Sequence, residues 1–279
     1  MKKSLLFLSS ILITINLYAY SDSDMDGVDD AADRCPNSLL TDLVDMQGCA
    51  KESLVSPHRY DVVLGVNYSD ADYRSLNATD TLASSLQVDY YYKNFSLQAS
   101  TAFFKTEGSG YSDSGLQDSY LGAAYSLNQI NNLSISLSAG VILPTYDTEL
   151  DNNNMDYTAS VNLSYALNSF NIFAGYSYSL INDDDVALTD VDGTVYSVLY
   201  QNTNTFSGGL GYYLNNKLYV SASYSMSDSI YIGVDDIEAA TVYGYYSINK
   251  DMFTTLSYSY GLSDTASDNY LSLRLGFLF

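Results

Sequence analysis

From His58 onward the chain alternates apolar and polar residues one by one, in runs of ten or more. In "YDVVLGVNYS", Tyr60, Val62, Leu64, Val66 and Tyr68 share one parity. In "FSLQASTAFF" the same holds for Phe95, Leu97, Ala99, Thr101 and Phe103. "LSISLSAGVIL" and "YTASVNLSYAL" repeat the pattern from Leu133 and from Tyr157. The other parity is mostly Ser, Thr, Asn, Gln, Gly or Ala. Successive side chains of a strand point to opposite faces, so period two predicts long strands with one apolar face. No helical spacing competes with it.

Length then separates two all-β classes. Strands of soluble domains average about five or six residues, whereas a tilted strand that crosses a bilayer needs about nine to eleven. Twelve runs reach that length: 58–69, 80–92, 95–106, 117–127, 133–143, 155–167, 170–180, 203–214, 218–228, 238–248, 252–263 and 268–279. Their connections alternate short and long. The short ones are Asn-rich ("KN", "NQINN", "NS", "NNK", "NKD"), and Asn tolerates the left-handed backbone of tight hairpins. The long ones are acidic and polar, as in "PTYDTELDNNN". Short turns on one side and long loops on the other is the asymmetry of a transmembrane barrel. An even strand count puts both ends of the barrel on the short-turn side. Closure also explains how so Ser-rich a chain is stable, because in lipid every backbone donor needs a partner and a closed barrel has no edge. The fold class expected is therefore all-β: a twelve-stranded antiparallel transmembrane β-barrel over 58–279. The clusters Tyr90-Tyr91-Tyr92, Tyr212-Tyr213 and Tyr245-Tyr246 beside the short turns are expected to form an interfacial aromatic girdle.

The last residues, "YLSLRLGFLF", place Leu271, Leu273, Leu275, Phe277 and Phe279 on one face. This end resembles the C-terminal targeting signal of Gram-negative outer-membrane barrels. The resemblance implies the cell outer membrane as location, outer-membrane lipid and lipopolysaccharide as surroundings, and the barrel-assembly machinery as a partner during insertion.

The inward parity offers Ser85, Gln87, Asp89, Ser96, Gln98, Ser100, Asn162, Ser164, Ser177, Ser221, Ser223, Ser225, Thr255, Ser257 and Arg274. Such a lumen is small-chained, polar and nearly uncharged, with Arg274 able to pair with Asp61, Asp89 or Asp118. It either forms a narrow watery path, or lets the barrel flatten and plug itself. The chain's only histidine, His58, sits at the entry of the first strand, away from the long loops. A histidine-centred catalytic group has no second member there, and no enzyme is expected. The acidic run Asp183-Asp184-Asp185 with Asp190 and Asp192 is either a metal site or, the reading preferred, a solvated outer loop sharing divalent cations with lipopolysaccharide.

The N-terminus differs. "MKKSLLFLSSILITINLYAY" has a basic end and a short apolar stretch, the pattern of a secretory signal cut after Ala19. Losing Lys2 and Lys3 takes the formal charge from −22 to −24. With 33 acidic against 11 basic residues, the chain is a poor partner for nucleic acid and a good one for divalent cations. In "SDSDMDGVDDAADRC", counted from Asp22, carboxylates fall at positions 1, 3, 5, 9 and 12, with Gly27 at 6. That is EF-hand-like loop spacing, in which alternate side chains and one carbonyl, here Val28, wrap a hard cation. Position 12 is Asp33 rather than the usual Glu, and no helical pattern flanks the loop. Cys35 and Cys49 are exported, where a disulfide is the default.

Together, "DSDMDGVDDAADRCPNS" and "VDMQGC" resemble a thrombospondin type 3 repeat over about 30 residues. The resemblance implies Ca²⁺ held by Asp22, Asp24, Asp26, Asp30, Asp33 and the Val28 backbone, and a Cys35–Cys49 bridge. The organisation read is a signal at 1–19, the repeat at 20–50 in the periplasm, a linker at 51–57 and the barrel at 58–279. Two functions follow. One is a passive, porin-like channel for small polar solutes. The other is a structural or adhesive envelope protein, with the barrel as anchor and the repeat docking a periplasmic or envelope partner.

Overall fold

The computed structural model describes residues 22, 28–30, 32–35, 42–53, 57–72, 78–130, 132–146, 154–189 and 195–279. The chain divides into two compact units, Met1–Pro57 and His58–Phe279.

In the first unit, β1 (Asp42–Val44) and β2 (Ala50–Ser53) form an antiparallel hairpin. Asp45 organises its turn: Oδ1 accepts from the backbone N–H of Gln47 at 2.9 Å and of Cys49 at 3.1 Å. Gly48 takes a left-handed φ of 74°, which closes the turn. Cys35 and Cys49 are joined by a disulfide across a sequence separation of 14, and Arg34 N–H donates to the Gln47 carbonyl at 2.9 Å. A unit this small has little apolar surface to bury, so covalent staples carry much of its order. Asp24 and Asp26, two of the expected calcium ligands, lie outside the described residues.

The second unit is the barrel. Its strands are β3 (His58–Ala71), β4 (Thr79–Tyr92), β5 (Phe95–Gly108), β6 (Tyr111–Leu116), β7 (Ser119–Ile130), β8 (Leu133–Leu143), β9 (Asp156–Leu167) and β10 (Phe170–Leu180). After a small outer hairpin, β11 (Val186–Thr189) and β12 (Val195–Val198), come β13 (Thr203–Tyr213), β14 (Leu218–Ser227), β15 (Ile237–Asn249), β16 (Met252–Gly261) and β17 (Asn269–Leu278). The sheet has thirteen strands; β6 pairs only with the outer end of β5, and the other twelve close into a ring. The seam is β3 against β17, with ten antiparallel pairs from Asn269↔Asp70 to Leu278↔Asp61. The seam continues to the C-terminus, where Tyr60 and Phe279 exchange backbone hydrogen bonds at 3.0 and 2.8 Å. All twelve expected strands are present, with no end shifted by more than three residues.

The barrel is inside-out relative to a soluble domain. Among the described residues no large side chain is fully buried, whereas Leu64, Leu82, Leu210, Val242, Leu256 and Leu273 are each at least half exposed. Buried positions instead include Asp61, Asp89, Thr255 and Ser272. Outward parity is apolar and inward parity polar along each stave, the arrangement that hydrocarbon outside and water inside demand. The short and long connections alternate as expected, but one turn corrects the Asn argument. In the two-residue turns, positive φ falls on the first residue, Lys93 and Asn168, each at 54°. In "KN" that residue is the lysine, so Asn94 does not supply the left-handed backbone there.

The tyrosine clusters also correct the girdle expectation. Period two splits each cluster: Tyr90 and Tyr92 belong to the outward parity of β4 and Tyr91 to the inward, where it lines the lumen. Tyr212 and Tyr246 face out, and Tyr213 and Tyr245 share the inward parity. Inward rings lie against glycines of their own or neighbouring staves. Tyr120 covers Gly122 and Gly140, Tyr219 covers Gly211, Phe173 covers Gly209 and Phe253 covers Gly276, and no Cβ fits at these glycines without moving the ring. Flat rings leave the axis of the barrel open, and each covers backbone that a glycine leaves bare.

Gly276→Val is therefore expected to destabilise the barrel by about 1–3 kcal/mol, the usual cost of overpacking. Urea titration read by the folded and unfolded bands on unheated gels measures it. Adding Phe253→Ala in the same chain removes the clash and restores most of the midpoint.

Candidate transport path through the barrel

The lumen holds three neighbouring cavities of about 210, 260 and 450 Å³. Gln87 on β4 lines all three. Cross-strand register builds the wall around it. On β3 and β4, Asp61 stands directly opposite Asp89, and Val63 opposite Gln87. On the other flank Arg274 of β17 stands opposite Gly65, whose missing Cβ leaves room for the arginine stem and for Ser85.

Hydrogen bonds tie these groups into one strip. Arg274 Nη1 donates to Gln87 Oε1 at 3.3 Å, and Gln87 Nε2 donates to Asp89 Oδ2 at 2.8 Å. The expected ion pair of Arg274 is not formed: among the described residues no carboxylate lies within ion-pair distance of it, and it meets Asp89 through the Gln87 amide. The partner of Asp61 is Arg59, at 3.2 Å, and the Arg59 guanidinium also lies over the Tyr91 ring at 4.1 Å. Two like charges opposite each other on adjacent strands repel. Arg59 on one carboxylate and the Gln87 amide on the other offset that repulsion. Sequence reasoning placed Asp61, Asp89 and Arg274 on the inner face but missed Arg59, although its position two residues before Asp61 on one strand puts both on the same face.

Asp118 has a different task. It lines the smallest cavity beside Gln117, and its Oδ1 accepts from the backbone N–H of Thr145 and of Tyr146, each at 3.1 Å. It thus pins the β8–β9 connection over the outer end of the lumen. Tyr146 then packs edge-on against Phe104, ring centres 5.0 Å apart, and hydrogen-bonds Asp113. The rest of the strip is neutral: Ser138 with Ser160 at 2.6 Å, Asn171 with Ser164 at 2.7 Å, Thr241 with Ser259 at 2.7 Å and Ser272 with Asn67 at 2.6 Å. Tyr91, Tyr120, Tyr243 and Tyr270 add ring surface to the cavities. These four tyrosines were absent from the expected lumen, although their parity in the sequence assigns them to it.

Other expected sites fall as follows. His58 Nδ1 lies 2.6 Å from Tyr90 Oη and its ring packs on Tyr90 and Tyr92, at the short-turn rim. Asp183 and Asp185 brace loops, accepting from the backbone of Asn154 and Tyr200 at 3.3 and 3.1 Å, and burial raises the Asp183 carboxyl. Asp190 and Asp192 lie outside the described residues. Asp33 Oδ1 accepts from Cys35 N–H at 2.8 Å. Leu271 and Leu273 face outward on β17, and Phe279 ends the seam, 73 % exposed.

These features define a class: a closed twelve-stranded barrel with an apolar exterior and a polar, hollow interior. Residues 52–279 match the family described as "Putative MetA-pathway of phenol degradation", and the chain belongs to that family. No curated protein matches the sequence. Among solved structures, the NanC porin is 14 % identical, with 78 % of this chain and 98 % of that chain covered and a TM-score of 0.49. The KdgM porin is 10 % identical, covering 77 % and 98 %, with a TM-score of 0.47. The toluene transporter TodX of P. putida is 12 % identical, covering 79 % and 89 %, with a TM-score of 0.46. The barrel itself is read from its strand pairing.

Arg59→Ala leaves Asp61 facing Asp89 without its counter-ion. The expected result at neutral pH is a loss of roughly 1 kcal/mol, typical of a cross-strand charge pair, in the same urea titration. Asp61→Asn added to that variant recovers it, since one of the two repelling charges is gone.

Proposed function

We propose that the protein is an outer-membrane channel for small solutes. The observation that carries this reading is the combination of an unbroken hydrogen-bonded ring with an exposed apolar belt outside and polar cavities of about 210 to 450 Å³ inside. A barrel serving only as an anchor has no need of hollow space along its axis. The charges along the lumen are three aspartates, Asp61, Asp89 and Asp118, and two arginines, Arg59 and Arg274, so the wall carries a small negative excess. Selection by size and polarity follows, with the acidic outer loops adding a mild preference for cations. The family's description, phenol degradation, puts compact hydroxylated rings first among solutes to try, and the four lumen tyrosines suit them. Two assays test the reading. Purified protein in planar bilayers is expected to give stepwise conductance, and proteoliposomes to swell in small neutral sugars but not in larger ones. Folded protein that does neither leaves the barrel as an anchor.

The N-terminal reading goes with it. The signal is removed after Ala19, and the module lies in the periplasm, since both barrel ends are on the short-turn side. Calcium is held by Asp22, Asp24, Asp26, Asp30, Asp33 and the Val28 carbonyl; the support is the spacing of the acids before a bonded cysteine pair. Such a site supplies folding energy to a unit with almost no core. Lipopolysaccharide shares cations with the outer acidic loops, and the assembly machinery reads the Leu271–Phe279 face. Calorimetry on the full chain is expected to register calcium binding at up to millimolar concentration, severely weakened by Asp26→Ala. No difference between that variant and the wild type defeats the calcium site.

A further inference from the structure

The outer ends of the staves carry a further cavity, apart from the lumen strip. It has a volume of about 590 Å³ and lies between the β14–β15 connection and the β16–β17 connection. Its apolar wall is Ile230, Val234 and Ile237, which are 37, 44 and 39 % exposed. Lipid does not account for them. The same connections carry Asp228, Asp235, Asp236, Asp264 and Asp268, charges that mark water rather than hydrocarbon. Apolar surface left open to water costs free energy in proportion to its area, and a concave apolar wall with a few polar groups is the usual form of a ligand site.

The cavity is held open by its frame. Gln201 N–H donates to the Ile230 carbonyl at 2.8 Å, and Ile232 N–H to the Leu199 carbonyl at 2.9 Å. Gln201 Nε2 donates to the Ser229 carbonyl at 2.9 Å. The Tyr200 and Tyr231 rings pack with centres 5.4 Å apart. Thr265 Oγ1 donates to the Asp236 carbonyl at 2.6 Å, tying the second connection to the first. Gly233, at φ 82°, makes the reversal that brings Val234 back over the cavity; open space surrounds its Cα, so the glycine is there for backbone and not for room.

Charge sets the ligand class. Asp228 and Asp264 both line the cavity. Asn204 gives Asp228 Oδ2 two hydrogen bonds, from N–H and from Nδ2, each 2.8 Å, and these hold its carboxyl below the ordinary 3.8. An ionised wall repels anions and accepts hydrogen bonds. We propose that this cavity is an outer capture site for compact, uncharged molecules with an apolar body of one-ring size and a hydrogen-bond donor. It deepens the channel reading by naming what would be collected at the mouth, but it binds whether or not solute then crosses.

The test uses the purified full-length protein in detergent, with phenol and benzoate as probes followed by ligand-observed NMR titration. Phenol is expected to bind, and benzoate at least tenfold more weakly. Val234→Asp lowers phenol affinity at least tenfold, and Asp264→Asn narrows the phenol-to-benzoate gap. Ile237→Asn serves as a second lesion, each variant being checked for the folded band on unheated gels. Benzoate binding as well as phenol, or phenol binding untouched by both apolar lesions, overturns the proposal. Permeation without phenol binding sinks this site and leaves the channel; binding without permeation does the reverse.

Discussion

Everything in the barrel depends on one seam. β17 returns to pair with β3, and the ladder becomes a ring with no first or last strand. In hydrocarbon an unpaired N–H or C=O costs several kcal/mol. An open sheet of this length would expose two edges of such groups. The pairing of Phe279 with Tyr60 carries the seam to the final residue. Once the ring is closed, each stave has one face for lipid and one for the lumen, and register decides which residues meet across the wall.

That register turns a plain polar sequence into a structured wall. Serines, threonines and asparagines that are unremarkable along the chain become hydrogen-bonded pairs around it. Glycines take a role that depends on the neighbouring stave: they make beds for inward rings. The lumen charges also exist as a strip only through pairing. Asp61 and Asp89 are 28 positions apart in the chain and opposite each other in the sheet. Arg274 reaches the same strip because the last strand lies beside the first.

Much of this was legible in advance. The twelve runs, their ends and the contrast of connections follow from alternation and length, because period two and the thickness of a bilayer act locally on each segment. The inward placing of Asp61, Asp89 and Arg274 follows from parity. What parity could not show is partnership. Arg274 was free to reach any of three aspartates, and it meets Gln87; Asp118 lines a lumen cavity and in addition holds the Thr145–Tyr146 backbone. The tyrosine clusters are blocks along the chain, and period two splits each between the two faces. The outer cavity left no trace in the sequence at all, since its walls come from connections that pair only after the barrel forms.

The sequence by itself determined the class of fold and the side of the wall on which each stave residue lies, because alternation is a property of the single strand. It also determined the chemistry available at the N-terminus, where acids and cysteines cluster within a short segment. The tertiary structure decided who touches whom: the seam, the Asp61–Asp89 pairing and the Gln87-centred contacts, the rings on glycines and the cavity at the outer rim. The reason is physical. Facing is set by backbone pleat one residue at a time, whereas contact across a barrel is set by shear and closure, which involve all twelve staves at once.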